Sequence, residues 1–390
     1  MEDEKGFVFG LRGGLRGEVD PGLGTNSACL WLNQHLTSQR PALFGAVQTE
    51  PESPDVFSTT TGGPMKKILR IVAWGAGVVV ALIVLGVGFL YVRYPSVDPV
   101  RDLSVSATPE RLARGAYLAN HVAVCVDCHS TRNWEYFAGP IVPGTEGKGG
   151  EVFDESFGFP GAIHAHNITP AALGSATDGI LYRAITSGVD KDGNALFPLM
   201  PYTRYNSMSE EDVLSVIAYV RTLKPIENTP PATKLDFPLN LIVRTIPMKR
   251  TPQPEPDTSN IYEYGKYLTN AASCTECHTK QVKGEPIAGM EFAGGFEFPF
   301  PDKSVVRSAN ITPDEETGIG SWSETNFVEK FKYFDAPEAK TLKAADIGYQ
   351  SMMPWLMYAG MTERDLSAIY KFLRTVKPVK NHVEKYTPAK

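Results

Sequence analysis

Cysteine is scarce in this sequence. Only five of 390 residues are cysteine, and four of them fall in two short stretches, Cys125-Val126-Asp127-Cys128-His129 and Cys274-Thr275-Glu276-Cys277-His278. A disulfide framework therefore has nothing to build on. Positive charge is also in short supply: 38 Lys and Arg stand against 44 Asp and Glu, a formal net charge of -6, which excludes the basic surface a nucleic-acid binder needs. No Ser-His-Asp set, Gly-rich phosphate loop or carboxylate metal motif occurs with the spacing its chemistry requires, so no catalytic residue is assigned and an enzyme is not expected. Long apolar runs are missing too, with one exception. What remains, 42% hydrophobic and 21% charged residues, is ordinary globular composition, and the length calls for two domains plus something extra.

The exception covers residues 71–92, IVAWGAGVVVALIVLGVGFLYV, without a single charge. As a helix it would cross the ~30 Å hydrocarbon core of a bilayer, and it lacks the apolar stripe of a helix buried in a soluble core. Lys66, Lys67 and Arg70 precede it while Arg93 and Arg101 follow, which favours an amino end inside the cell. An uncleaved transmembrane anchor is expected; the competing reading, a cleaved signal peptide, has only Gly86 and Gly88 to offer as a cleavage site. Residues 1–64 are rich in Gly, Pro, Ser and Thr and show no sustained period, so they are expected to be unstructured, with Cys29 a free thiol. Met65-Lys66-Lys67 looks like the natural beginning of a targeting segment.

Beyond the apolar run the chain repeats itself. Gly115-Ala116-Tyr117-Leu118 is echoed by Gly265-Lys266-Tyr267-Leu268, Asn167-Ile168-Thr169-Pro170 by Asn310-Ile311-Thr312-Pro313, and Met200-Pro201-Tyr202 by Met353-Pro354-Trp355, in the same order around the pentads. Each repeat closes on a helix. Ser209 and Thr362 offer hydroxyl caps, with Asp212 and Asp365 three residues on, placed like a capping-box acid. Val213, Val216, Ile217 and Val220, and Leu366, Ile369, Tyr370 and Leu373, then form one apolar face each. Thr108-Pro109 is a cap and first helical position, so a helix is expected to lead through Gly115 into the first pentad. The expected organisation is a repeat over 108–223, a linker over 224–260 whose eight prolines break regular structure, and a second repeat over 261–380. Leu239 to Ile246 is apolar enough to drape the linker over a domain surface.

Cys-x-x-Cys-His is the attachment motif of c-type haem: the two thiols bond to the vinyl groups and the imidazole ligates iron. A closed zinc site needs four ligands and each pentad supplies three; a thioredoxin-like pair needs a β-α-β context absent here. The expectation is two covalently bound haem c, held by Cys125, Cys128, Cys274 and Cys277, with His129 and His278 as axial ligands. Electron-transfer haem takes a second axial ligand, often Met. Met200 and Met353, in their Met-Pro-aromatic setting, are the candidates; Met208 and Met361 also repeat, and Met352 adjoins Met353. His164 and His166 have no counterpart in the second repeat. Asp127 and Glu276 read as solvated residues.

These residues resemble the tandem class I cytochrome c domains of membrane-bound multihaem cytochromes c, and are similar to the cytochrome c subunits of bacterial alcohol and gluconate dehydrogenases. The resemblance covers roughly residues 108–380 and rests on the pentads, on Asn310-Ile311-Thr312-Pro313-Asp314 running into Thr317-Gly318-Ile319-Gly320-Ser321-Trp322, and on the Met-Pro-aromatic loops. It implies a mainly α fold, two tandem class I cytochrome c domains after an N-terminal transmembrane helix, with Met200 and Met353 as sixth ligands. It also implies an electron-transfer protein of the bacterial inner membrane. Its haem domains would face the periplasm and pass electrons from a membrane dehydrogenase or quinol-oxidising complex to an oxidase or soluble cytochrome. A dihaem peroxidase is the alternative; it would need unlike haem sites, whereas the repeats present like ones. Two departures stand out: such subunits typically carry three haem domains, and the first repeat lacks the Gly-Ile-Gly continuation.

Overall fold

The helix that holds the apolar run, α1 (Gly63–Arg93), opens the computed structural model, which describes residues 63–389. Of the expected unstructured extension, residues 1–62, Cys29 among them, lie outside the described residues, whereas Gly63 and Pro64 already belong to the helix. The helix exceeds the apolar run at both ends and extends about 46 Å at 1.5 Å per residue. Its most apolar window has a mean hydropathy of 2.5 and none of it is buried, so by length and composition it can cross a membrane.

The first repeat begins with α2 (Pro109–Tyr117), where the Thr108 hydroxyl accepts from the Arg111 N–H. A π-helical turn, Leu118–Val122, follows and leads to α3 (Cys125–Cys128). A hairpin of β1 (Val152–Phe153) and β2 (Gly161–His164) comes next, antiparallel with Phe153 opposite Ile163. Then come α4 (Pro170–Leu173), α5 (Asp178–Ser187), α6 (Tyr202–Tyr205) and α7 (Glu210–Val220). The linker contributes β3 (Lys234–Leu235), paired with β2, and α8 (Leu239–Ile242). The second repeat holds α9 (Ile261–Ala271), α10 (Cys274–His278) and the strands β4 (Gln281–Val282), β5 (Glu285–Pro286), β6 (Glu297–Pro299) and β7 (Val305–Arg307). It closes with α11 (Glu324–Lys332), α12 (Ala344–Ile347), α13 (Trp355–Tyr358), α14 (Glu363–Leu373) and β8 (Tyr386–Thr387), which joins β7. The chain is mainly α, and its strands are short.

The first helix of each repeat crosses the last, α2 on α7 and α9 on α14. Glycine makes the crossing possible. A Cβ on Gly115 would stand 1.9 Å from the Ser215 carbonyl oxygen, and one on Gly265 would stand 1.9 Å from that of Ala368. Any side chain there would force the helices apart, so the helix-propensity cost of glycine, about 1 kcal/mol, is offset by the contact. The apolar faces read from the sequence are core: Val213, Ile217 and Leu366 are fully buried, and Val216, Val220, Ile369 and Leu373 nearly so.

One continuous apolar core takes residues from both repeats, and residues 65–390 form one compact unit. Reciprocal polar contacts cross between the repeats. Tyr117 Oη donates to Asp365 Oδ2 (2.6 Å), and its counterpart Tyr267 donates to Asp212 Oδ2 (2.5 Å). Each tyrosine hydroxyl also accepts an N–H at the start of the other repeat's closing helix, from Thr362 and from Ser209. Ser209 and Thr362 cap α7 and α14 as expected, accepting from Asp212 N and Asp365 N. The acids do not act as capping-box residues: their carboxylates take the tyrosines instead, and Asp212 takes Arg114 at 2.7 and 2.8 Å. The helix through Gly115 is not uniform either. The first repeat has one more residue than the second between this glycine and its pentad, and the π-turn absorbs it without shifting the pentad.

The linker is tied at both ends to the first repeat, as a draped segment must be. Near its start the Thr233 hydroxyl accepts from His164 N, and near its end buried Arg250 donates to the Met208 carbonyl (2.6 Å) and to Tyr182 Oη (3.1 Å). Replacing Tyr117 by Phe leaves Asp365 with only the long 3.4 Å bond from Tyr264, whereas Asp212 keeps Arg114 when Tyr267 is lost. Tyr117→Phe is expected to cost about 1–3 kcal/mol and Tyr267→Phe less; thermal denaturation of the two variants compares them directly.

Candidate functional site

Each pentad starts after a backbone kink. Val124 (φ 45°) and Ser273 (φ 55°) adopt the left-handed conformation that side-chain-bearing residues rarely take, which ends one helix and starts the next turn at Cys125 and Cys274. The kink is fastened from across the fold: Tyr205 Oη donates to the Ala123 carbonyl (2.8 Å), and Tyr358 Oη to that of Ala272 (2.9 Å). These tyrosines lie on α6 and α13, just after Met200-Pro201 and Met353-Pro354. The methionine loops and the pentads are thereby held together in both repeats.

The thiols are protonated at neutral pH. Burial first, and the neighbouring thiol or acid second, push Cys125 and Cys274 up to about 12 and Cys128 to about 11. A reactive dithiol pair would need the opposite shift. The imidazoles are set up as neutral ligands. His129 Nδ1 donates to the carbonyl of His166 (2.6 Å) and His278 Nδ1 to that of Ala309 (2.8 Å). A carbonyl only accepts, so the proton sits on Nδ1 and the lone pair of Nε2 is available to a metal. Burial keeps both rings neutral, lowering His129 to about 4 and His278 in the same direction.

The residues just before the Asn-Ile-Thr-Pro stretches, His166 and Ala309, supply those carbonyls. Asn167 Oδ1 accepts from Thr169 N and Oγ1, while its Nδ2 donates to Ile226 and Asn228 carbonyls beyond α7. Asn310 repeats the pattern with Thr312, Thr317 and the Val379 carbonyl. The asparagine thus fixes the carbonyl of the residue before it against the end of the repeat. The repetition was visible in the sequence; this role was not, nor was the use of the His166 backbone.

Met200 and Met353 are half-buried, pack against the core and open the turns into α6 and α13. Met208 and Met361 are 2% and 1% exposed, filling the interior. Met352 is half-buried but does not join the core cluster.

Asp127 and Glu276 differ from the solvated residues expected. Asp127 is 5% exposed and pairs with Arg132 (3.2 Å), which also meets Glu151 (3.3 Å) and lies over the Trp134 ring at 4.2 Å. Arg132 lies beyond the pentad and came to notice only in the fold. Glu276 is half-exposed and reaches across the repeats to Arg204 on α6 (2.5 Å).

No family model matches the chain. Among curated proteins, the fructose dehydrogenase cytochrome subunit of Gluconobacter japonicus is 30% identical over 295 residues, 72% of this chain and 55% of that protein. The cytochrome c subunit of the quinone alcohol dehydrogenase of Gluconacetobacter polyoxogenes is 27% identical over 288 residues, 70% and 58% of the two chains. The gluconate 2-dehydrogenase cytochrome c subunit of Pantoea cypripedii is 24% identical over 278 residues, 67% and 59%. The chain is similar to cytochrome c subunits of bacterial dehydrogenases. It spans a little over half the length of these cytochrome subunits. The protonated thiols, the free imidazole nitrogens and the fastened methionine loops fit the donor set of a cytochrome c.

In this cytochrome-like chain the two acids inside the pentads should respond differently to loss of their cations. Arg132→Leu strands Asp127 and Glu151 in the interior and is expected to cost about 3–5 kcal/mol. Arg204→Gln breaks a half-exposed pair and is expected to cost no more than about 1 kcal/mol. Thermal denaturation of the two variants side by side gives the comparison.

Proposed function

We propose that this chain is a membrane-anchored dihaem cytochrome c, an electron-transfer subunit and not a catalytic one. Two tandem class I cytochrome c domains, residues 108–223 and 261–380, follow the anchor and are joined by the linker 224–260. Cys125, Cys128, Cys274 and Cys277 are the attachment residues. His129 and His278 would hold the iron through Nε2, with Met200 and Met353 as its second protein ligands. Haem iron held by His and Met supplies one-electron oxidation and reduction at a raised potential.

The observation that carries this reading is the duplication of one scaffold within one core. In both repeats a carbonyl locks the histidine by Nδ1 and a tyrosine ties the methionine loop to the pentad, and the Glu276–Arg204 pair ties the second pentad to α6 of the first repeat. Like sites side by side suit a relay; an enzyme that activates peroxide needs one site with an open position. The relatives are cytochrome subunits of dehydrogenases, which supports a membrane dehydrogenase or quinol-oxidising complex as donor. The downstream acceptor would be a terminal oxidase or a soluble cytochrome. With α1 in the inner membrane and its amino end in the cytoplasm, the haem domains stand on the periplasmic side, where covalent attachment takes place.

A pyridine haemochrome assay on the purified full chain tests the reading. Two covalent haems per chain are expected, falling to one in a Cys274→Ala, Cys277→Ala variant. The wild type should bind no carbon monoxide, and Met353→Ala should make one of its two haems bind it. A single haem per chain, or ready carbon monoxide binding by the wild type, would overturn the assignment of two closed relay sites.

A further inference from the structure

The linker carries a feature that neither repeat uses. Between β3 and the end of the linker, Phe237 is 78% exposed, Ile242 46% and Met248 40%. A scattered apolar residue on a surface needs no explanation, but these three belong to one short segment whose two ends are fixed to the first repeat. Its other side is already used: Val243 is only 7% exposed. The segment therefore buries one apolar side in protein and leaves a second one uncovered.

Arg244 shows where that uncovered side lies. Its guanidinium donates to the carbonyls of Tyr94 (2.6 Å) and Tyr91 (3.4 Å) and lies over the Tyr91 ring at 4.5 Å. These carbonyls end α1, where no intrahelical partner remains and the helix dipole favours a cation. The segment is thus fastened at the end of the apolar run 71–92. In a spanning helix this is head-group level, where tyrosine and tryptophan gather. Trp74, near the other end of the run, lies about 26 Å away along the axis, close to the thickness of a bilayer core. Cations frame the segment, Lys234 before it and Lys249 after it, with Asp236 the exposed acid beside Phe237. An apolar middle with a basic rim at this level matches a phospholipid surface.

We propose that residues 237–248 are a second membrane contact, with Phe237, Ile242 and Met248 inserted among the lipids beside the exit of α1. The haem-bearing unit is then clamped to the bilayer at a fixed attitude and does not swing on the chain between Arg93 and Thr108. This rests on reading α1 as a membrane anchor, and the experiment separates the two.

The full chain, with Cys29→Ser, is reconstituted in phosphatidylcholine–phosphatidylglycerol vesicles with a nitroxide on one introduced cysteine: Phe237→Cys, Ile242→Cys, Ile83→Cys within α1, or Lys340→Cys on the exposed surface. A chain with no introduced cysteine gives the blank for any labelling of the pentads. Collision with oxygen, which concentrates in lipid, is compared with collision with a water-soluble nickel chelate. Labels at 237 and 242 are expected to favour oxygen several-fold more than the label at 340, at a shallower depth than the label at 83. If 83 lies in lipid while 237 and 242 match 340, the second contact is wrong and the anchor stands. Labels at 237 and 242 shielded from both agents would mean that protein covers the segment, which also overturns the proposal. A label at 83 that behaves as in water would bring down the anchor and the proposal together.

Discussion

Each pentad histidine, His129 and His278, is held by a backbone carbonyl, and most of the architecture can be traced to that hydrogen bond. The carbonyl needs a fixed place, which the asparagine after it provides by bonding the chain beyond the closing helix. That chain is in place because the closing helix packs on the opening one, and the packing is possible because Gly115 and Gly265 have no side chain. A methyl group at the crossing would therefore reach the imidazole through four successive contacts. The same dependence explains why both repeats keep glycine, asparagine and threonine at these matching places.

The repeats share a scaffold but not a setting. The first pentad has a buried acid, arginine and glutamate beneath it, while the second sends Glu276 to the other repeat. The first also carries the extra residue absorbed by the π-turn, where His121 Nδ1 meets the Met357 carbonyl of α13. Buried charge next to one pentad and half-exposed charge next to the other give the two pentads unlike electrostatic surroundings; were both to hold haem as proposed, that would be a physical basis for unequal potentials.

The seam between the repeats is built by exchange. Tyr117 and Tyr267 each serve the other repeat's aspartate, and α13 and α6 each rest against the opening helical segment of the other repeat. Because the polar bonds of the seam are reciprocal and its apolar part is continuous with both cores, sliding one repeat would break bonds on both sides. The linker with eight prolines was expected to drape over a domain surface, and residues 65–390 form one compact unit in which both repeats contribute to the core.

Local pattern was enough for a good deal. The pentads, the apolar run, the hydroxyl caps at Ser209 and Thr362 and the apolar faces of the closing helices depend on residues a few places apart, and the fold has the caps and faces where the sequence puts them. The sequence by itself therefore determined the two pentads, their duplication and the elements that carry them. Only the tertiary structure decided that Asp212 and Asp365 answer tyrosines across the seam instead of their own helix ends, that Asp127 is buried with Arg132, and that the His166 carbonyl steadies His129. The physical reason is separation along the chain: Tyr117 meets Asp365 across 248 residues and Asn270 meets Arg204 across 66. Such partners leave no spacing to read, since a carboxylate's burial and a carbonyl's direction are set by whichever distant segment the core brings against them.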